Sequence, residues 1–283
     1  MDRKDLLKNK KRIVLKIGSS SLMHEETGEI DFIKVEKLVR ILSDIKNQGK
    51  DVLLVSSGAI AVGSKSLGFK RRPETLTMKQ ACAALGQGEL MMLYQKLFRE
   101  YNHLAAQVLL TFDVITNDER RRNAMNTLIQ LLDLDIIPVV NENDTVATEE
   151  IEFGDNDTLS AICACLTNAD FLIVLSDIDG LYTDDPGKNK DAKRIPIVER
   201  ITTEIAAMAK GAGSGYGTGG MATKIAAAKI ATDSGTDMAI INSDNLDHII
   251  QLLNGEDVGT IFLAHDDPEF DVTDFIVHKK YLN

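Results

Sequence analysis

Asn141-Glu-Asn-Asp-Thr-Val-Ala-Thr-Glu-Glu-Ile-Glu-Phe-Gly-Asp-Asn-Asp-Thr-Leu-Ser-Ala161 is polar and acidic, yet it lies between two strongly apolar segments. Before it, Ile136 to Val140 is β-branched except for Pro138 and reads as a short buried strand; after it, Leu159 to Leu166 reads as an apolar helix. The stretch leaves a strand and enters a helix. In an open parallel sheet, ligands bind outside the carboxyl ends of strands, and a helix start there offers free N–H groups and a positive dipole end. Two readings stand side by side. One is a solvated loop with Asp155 or Asn156 as N-cap. The other is a binding loop whose Asn143, Asp144, Asn156 and Asp157 hydrogen-bond a small polar ligand or order neighbouring lysines.

Working outward, the same alternation recurs. Arg12 to Ile17 is a strand that runs into Gly18-Ser-Ser-Ser21, so Lys16 is its last polar side chain. Ile33, Val35, Leu38, Leu42 and Ile45 follow at helical spacing, with Asp31 as N-cap and Gly49 as the stop. Asp51 to Val55 is a strand ending in Ser56-Ser57-Gly58-Ala-Ile60. Thr77 to Tyr101 is a long helix in which Met91, Met92, Leu93 and Leu97 serve as core or as a subunit contact. Val108 to Phe112 and Asn117 to Leu132 give a strand and a helix. Beyond the opening stretch, Phe171 to Leu175 is a strand ending in Ser176-Asp177-Ile-Asp-Gly180. Asp184 to Gly187 is a turn, and Ile195 to Ile201 precedes a helix reaching Lys210. Met221 to Ser234 (helix), Met238 to Asn242 (strand), Leu246 to Leu253 (helix) and Thr260 to Leu263 (strand) complete the series. Alternating β and α predicts an α/β fold: a doubly wound, mostly parallel central sheet with helices on both faces.

The 283 residues, 44% hydrophobic and 27% charged, suffice for one large α/β domain or two modest lobes. A net charge of −11 argues against a nucleic-acid-binding surface, and Arg120-Arg121-Arg122, following Asp118-Glu119, reads as a solvated helix face. No apolar run approaches the roughly 18 residues of a membrane span, and Met1 to Arg12 is too charged for a signal peptide. Cys82, Cys163 and Cys165 are an odd number that fits a reducing cytoplasm. Cys163-Ala-Cys165 lies in an apolar helix without a nearby His and reads as buried thiols.

Gly217-Thr-Gly-Gly-Met-Ala-Thr-Lys224 opens a helix, which is the geometry of an anion site. It is not a Walker A loop, because Thr223 stands where Gly should precede the lysine. Gly215-Tyr-Gly217-Thr-Gly-Gly220 fits Gly-x-Gly-x-x-Gly but lies far from the first strand, where a dinucleotide fingerprint belongs. The glycine run Gly211 to Gly220 is either a mobile loop or a phosphate cradle. Lys16 is either a snorkelling surface group or a second phosphate-facing cation. The set changes the odds: two lysines, glycine turns at Gly18, Gly58 and Gly180, and an acidic Asn/Asp loop.

Lys16-Ile-Gly18-Ser-Ser, Ser56-Ser57-Gly58-Ala-Ile, Val140-Asn-Glu-Asn-Asp144, Gly154-Asp-Asn-Asp157, Ser176-Asp177 and Thr218-Gly-Gly-Met-Ala-Thr-Lys224 together resemble the amino acid kinase family, and within it the members that phosphorylate glutamate. The resemblance covers about residues 10 to 264. It implies a three-layer α/β/α kinase domain over residues 1–264, with a glutamate-binding half at 1–168, an ATP-binding half at 169–264, and a short tail at 265–283. The implied reaction is ATP-dependent phosphorylation of the γ-carboxylate of L-glutamate to L-glutamyl 5-phosphate, the first step of proline biosynthesis, in the cytoplasm. By the same resemblance, Lys16 and Lys224 neutralise the transferring phosphoryl group and Asp157 positions them. Ser57, Asp144 and Asn156 hold glutamate. Lys16, Ser176, Asp177, Thr218, Gly219, Gly220, Met221, Ala222, Thr223 and Lys224 line the ATP site. Mg²⁺ is expected on the phosphates and water rather than in a protein cage, so no residue is named as a metal ligand. Proline as feedback inhibitor and a homo-oligomer, dimer or tetramer, are also implied. Many such kinases continue into a C-terminal PUA domain; the acidic stretch from His265 has too little apolar content for one.

The chemistry agrees with a carboxylate acceptor. Its reference pKa of about 4.3 leaves it ionised at pH 7 without a general base, and His24, His103, His248, His265 and His278 fall outside every motif. The rival acceptors are acetylglutamate, a nucleoside monophosphate or carbamate. A non-catalytic sensor of amino acid and nucleotide would lack one of the two lysines.

Overall fold

The computed structural model describes residues 3–71, 73–111, 113–146, 156–211, 220–265, 267 and 269–275. Eight strands form one sheet: β1 (Arg12–Ile17), β2 (Asp51–Ser56), β3 (Ala105–Leu110), β4 (Ile137–Glu142), β5 (Phe171–Ser176), β6 (Ile197–Val198), β7 (Asp237–Asn242) and β8 (Thr260–Phe262). Their order is β3-β4-β2-β1-β5-β7-β8-β6. All neighbours from β3 to β7 are parallel; β8 is antiparallel to β7, and β6 follows β8.

The sheet is doubly wound because its central strands are apolar on both faces. Val14, Leu53 and Leu172 face a core shared with the helices Asp118–Asp133, Asn156–Leu166 and Met221–Asp233. Ile13, Leu15, Leu54 and Ile173 face a second core closed by Phe32–Asn47, Leu76–Glu100 and Asp247–Leu253. Asp31 caps the first of these, accepting from Lys34 N at 2.9 Å, and Gly49 beyond its end has φ +78°. No helix among the described residues is long and apolar enough to cross a membrane.

Several boundaries differ from those expected. The helix after the acidic stretch starts at Asn156, three residues before Leu159, because Asp157 and Thr158 are buried polar residues that an apolar pattern cannot reveal. β3 starts at Ala105, as the sheet edge tolerates a half-exposed, weakly patterned strand. The segment 195–201 contributes only Ile197–Val198. The face at Arg120 to Arg122 is exposed at Arg120 and Arg122, while Arg121 is partly covered, donating to Thr273 Oγ1 at 3.1 Å and pairing with Asp118. Within the tail, the described Phe270, Val272 and Phe275 pack against the first core, with Lys229 Nζ 5.6 and 5.8 Å from the Phe270 and Phe275 ring centroids.

Two helices meet backbone to backbone beside β2. A Cβ on Gly63, in Ala59–Ser66, would stand 1.9 Å from the Cys82 carbonyl oxygen, and one on Gly86, in Leu76–Glu100, 2.0 Å from that of Ala59. Neither backbone can yield without moving its helix. Gly86→Ala is therefore expected to lower the unfolding free energy by about 3 kcal/mol, the upper end for overpacking. Gly88→Ala, two residues on where a Cβ meets nothing within 4 Å, should be neutral or stabilising by up to about 1 kcal/mol. Denaturant midpoints of the two variants check this; equal shifts would mean the glycine contact does not set the helix spacing.

Candidate active site

Lys16 is the next-to-last residue of β1, paired in register with Val55 of β2 and Val174 of β5. Its ammonium lies at the carboxyl edge of the sheet's centre. Asp157 is the second residue of Asn156–Leu166, and Lys224 is the fourth of Met221–Asp233. Lys16 Nζ stands 2.6 Å from Asp157 Oδ1, and Lys224 Nζ 3.1 Å from Asp157 Oδ2. Asp157 is 0% exposed, Lys16 7% and Lys224 5%. A carboxylate so deep must be paired, and here two cations share it. Thr223 Oγ1 is 3.5 Å from Asp157 Oδ2 and donates to Gly220 O at 2.8 Å. These three side chains carry two formal positive charges and one negative, and two ammonium groups side by side suit a phosphoryl group.

Asn156, the neighbour of Asp157, faces the other way. A cavity of about 810 Å³ opens beyond the ends of β1, β2 and β4, with Ser57, Gly58, Asn141, Asp144 and Asn156 in its wall. Gly58 has φ +112°, a left-handed conformation that favours glycine, and it turns the chain from β2 into the helix Ala59–Ser66. Asn156 Nδ2 donates to Ser57 Oγ at 2.7 Å and to Asn141 Oδ1 at 2.9 Å. Asn141 Nδ2 donates to Gln87 Oε1 at 3.0 Å, and Gln87 Nε2 to Gln107 Oε1 at 3.1 Å. This amide chain fixes a polarity. With both Asn156 N–H groups engaged inside the protein, its Oδ1 remains as an acceptor; with Ser57 Oγ accepting from Asn156, the Ser57 proton is left to donate. Beneath it, Ser56 Oγ lies 2.9 Å from the Tyr94 hydroxyl, and burial holds the Tyr94 phenol well above its usual range, hence neutral.

The structure brings Lys16, Asp157 and Lys224 into one cluster and places Ser57, Asp144 and Asn156 around one cavity. Ser176 is buried at the end of β5, beside β1, and donates to Asp177 Oδ1 at 3.0 Å, with Asp177 exposed. Gly220 precedes the helix that begins with Met221 and the exposed Ala222. Thr218, Gly219 and most of the glycine run lie outside the described residues, as do residues 147–155 of the acidic stretch. Cys163 is fully buried and its thiol is pushed up to about 12 by that burial, while Cys165 is half-buried. Gln87 was not singled out by motif reading. Its signal was a polar residue in phase with the buried Cys82, Ala83, Gly86 and Leu90 of an otherwise apolar helix face.

Comparison with known proteins agrees with this geometry. The model of the "Amino acid kinase family" matches residues 11–242. The glutamate 5-kinase of Clostridium perfringens is 53% identical over 262 residues, covering 91% of this chain and 97% of the relative. That of Carboxydothermus hydrogenoformans is 54% identical over 259 residues, 92% of this chain and 69% of the relative. Among solved structures, UMP kinase from Ureaplasma parvum superposes with a TM-score of 0.61 at 18% identity, over 90% of this chain and 99% of that one. Carbamate kinase from Giardia lamblia bound to AMP-PNP does so with 0.63 at 17%, over 91% and 99%. At such identities the structures speak for the fold, while the sequence relatives speak for the branch: the chain belongs to the amino acid kinase family, among its glutamate 5-kinases.

Proposed function

We propose that the protein transfers the γ-phosphoryl group of ATP to the γ-carboxylate of L-glutamate, giving L-glutamyl 5-phosphate and ADP, the entry to proline synthesis in the cytoplasm. One observation carries the reading. Asn156 and Asp157 are consecutive, one in the cavity wall and the other joining Lys16 to Lys224, so the acceptor cavity abuts the paired ammonium groups.

The chemistry asks little of the protein beyond alignment and charge. The γ-carboxylate, already ionised, attacks the γ-phosphorus in line; the bond to the β,γ-bridging oxygen breaks and ADP leaves with its electron pair. No proton need move. Lys16 and Lys224 offset the charge on the equatorial oxygens, and Asp157 holds the two ammonium groups in place. Ser57 donates to a carboxylate of the amino acid, Asn156 Oδ1 accepts from its ammonium, and Asp144 supplies the counter-charge. Acetylation would remove that ammonium and set a neutral amide against Asp144, which disfavours acetylglutamate. Proline keeps the ammonium and α-carboxylate without a γ-carboxylate, so it competes for the same cavity as an inhibitor. Residues up to 168 thus serve the acceptor, and 169–264, with Ser176, Asp177 and Gly220 to Lys224, serve ATP.

Mg²⁺ arrives with the nucleotide. Among the described residues no three His, Cys, Asp or Glu side chains converge as a metal site, and Asp157 has an ammonium on each oxygen. That donor set fits an ion held by phosphate oxygens and water. Self-association as a homo-oligomer is read from the exposed Met78, Leu85 and Met92, seven residues apart along one helix.

Trapping the acyl phosphate as a hydroxamate, with MgATP and either acceptor, tests the activity. Product is expected from glutamate and not from N-acetylglutamate; the reverse would assign the chain to a neighbouring kinase, and no product despite nucleotide binding would make it a sensor. Lys224→Ala should lower kcat by about 10²- to 10³-fold, the effect of losing one charge-stabilising donor, with the KM for glutamate within a few-fold. Unchanged turnover would remove Lys224 from the mechanism. Asp144→Ala should instead raise the glutamate KM by about 10- to 100-fold, as for a lost charged hydrogen bond; a rise confined to the ATP KM would place Asp144 elsewhere.

A further inference from the structure

Behind the cationic cluster, a pair of buried serines joins the first and last loops of the carboxyl edge. Ser21 Oγ donates to Ser243 Oγ at 2.8 Å across 222 residues of sequence, and the two residues are 5% and 3% exposed. Ser21 belongs to the single helical turn Ser19–Leu22 that follows β1, and its N–H donates to the capping Gly18 O at 3.2 Å. Ser243 follows β7 and donates its N–H to Ser176 O at 2.7 Å, at the end of β5. Since β5 lies between β1 and β7, the serine pair reaches across one whole strand.

The segment it holds stands between Lys16 and the acceptor cavity. A Cβ on Gly18 would be 3.8 Å from Lys16 Nζ, so the turn forms a wall beside the ammonium. Ser19 and Ser20, the next two residues, belong to the wall of the acceptor cavity. The turn has its acceptor-side anchor in Ser57 N donating to Ile17 O at 3.1 Å. Ser21 to Ser243 is its anchor to the strand ends of the nucleotide half. Neither serine lines the acceptor cavity.

We propose that Ser21 and Ser243 are positioning residues for phosphoryl transfer: their hydrogen bond fixes the Gly18–Ser20 turn relative to the ends of β5 and β7, and so sets the spacing between acceptor and nucleotide. This rests on the kinase reading above. In-line transfer requires reacting atoms about 3–3.5 Å apart, and a misplacement of about 1 Å costs on the order of 100-fold in rate. A hydroxyl pair that holds two loops in register acts on that distance and not on binding of either substrate.

The test is a double-mutant cycle on the full chain. Ser21→Ala and Ser243→Ala should each lower kcat by about 10-fold or more, with both KM values within about two-fold of wild type. The double variant should be no slower than the slower single variant, since one bond is lost in all three. It also leaves no hydroxyl unpaired and so is the variant best able to keep the fold. Losses that multiply in the double variant, an unchanged kcat, or losses appearing as KM would each overturn the clamp. If the single variants fail to fold, the double variant against wild type decides by the same split between kcat and KM. Wild-type turnover with glutamate tests the activity separately, because the cycle is a ratio that any accepted substrate can supply.

Discussion

A carboxylate with no exposure, held between two buried ammonium groups, is the constraint around which the rest is arranged. Replacing such a trio by apolar side chains is often neutral or stabilising, whereas removing one partner from it is costly. The three charges must therefore arrive together. The end of β1, the first turn of Asn156–Leu166 and the first turn of Met221–Asp233 have to converge within a few ångströms, and a parallel sheet is what allows it. Strands running one way place all their carboxyl ends on one edge, and each right-handed crossover returns the chain to that edge. Burying the three charges is then a local cost borne by a well-packed sheet.

The acceptor side obeys a different constraint, the satisfaction of neutral polar groups. Asn156 donates to Ser57 on one side and to Asn141 on the other, and from Asn141 the bonds run on through Gln87 to Gln107, which is exposed on the edge strand β3. The members of this network come from β3, β4, the residue after β2 and two helices, so no local propensity creates it. The close crossing at Gly63 and Gly86 puts Leu76–Glu100 near enough to supply Gln87. A small helix contact thus helps place a side chain that stands behind the cavity wall without lining it.

The sheet was legible in the chain because its central strands are continuous apolar runs, each ending in a glycine or serine turn, and these are signals carried by neighbouring residues. Asp31 as cap and Gly49 as stop belong to the same class. What could not be read was burial at a distance. Lys16 had two readings, a snorkelling group or a phosphate-facing cation, and only its 2.6 Å approach to Asp157 shows that its amine turns inward. Asn156 looked like an N-cap; instead its side chain reaches to Ser57 and Asn141. Arg121 looked solvated because its partner, Thr273, is 152 residues away. Phe270 and Phe275 were too sparse to announce a packed segment, yet they close one face of the core under Lys229.

The sheet and its cationic centre do not by themselves choose an acceptor, since the same architecture recurs in kinases named for different substrates. The choice must lie in the cavity wall, where the direction of a hydrogen bond matters more than its presence. If Asn156 presented its N–H groups to the cavity, the same cavity would favour a second anion; tied to Ser57 and Asn141, it presents oxygen, and beside Asp144 that favours an ammonium. Because Asn156 and Asp157 share one helical turn, a shift of that backbone would displace Asp157 from Lys16 and Lys224 along with Asn156 from Ser57 and Asn141. In the proposed reading, acceptor choice and phosphoryl stabilisation are thereby carried by one backbone turn, and a change of acceptor that spares it would act on the Asn156 amide orientation through Asn141 or Gln87 behind it.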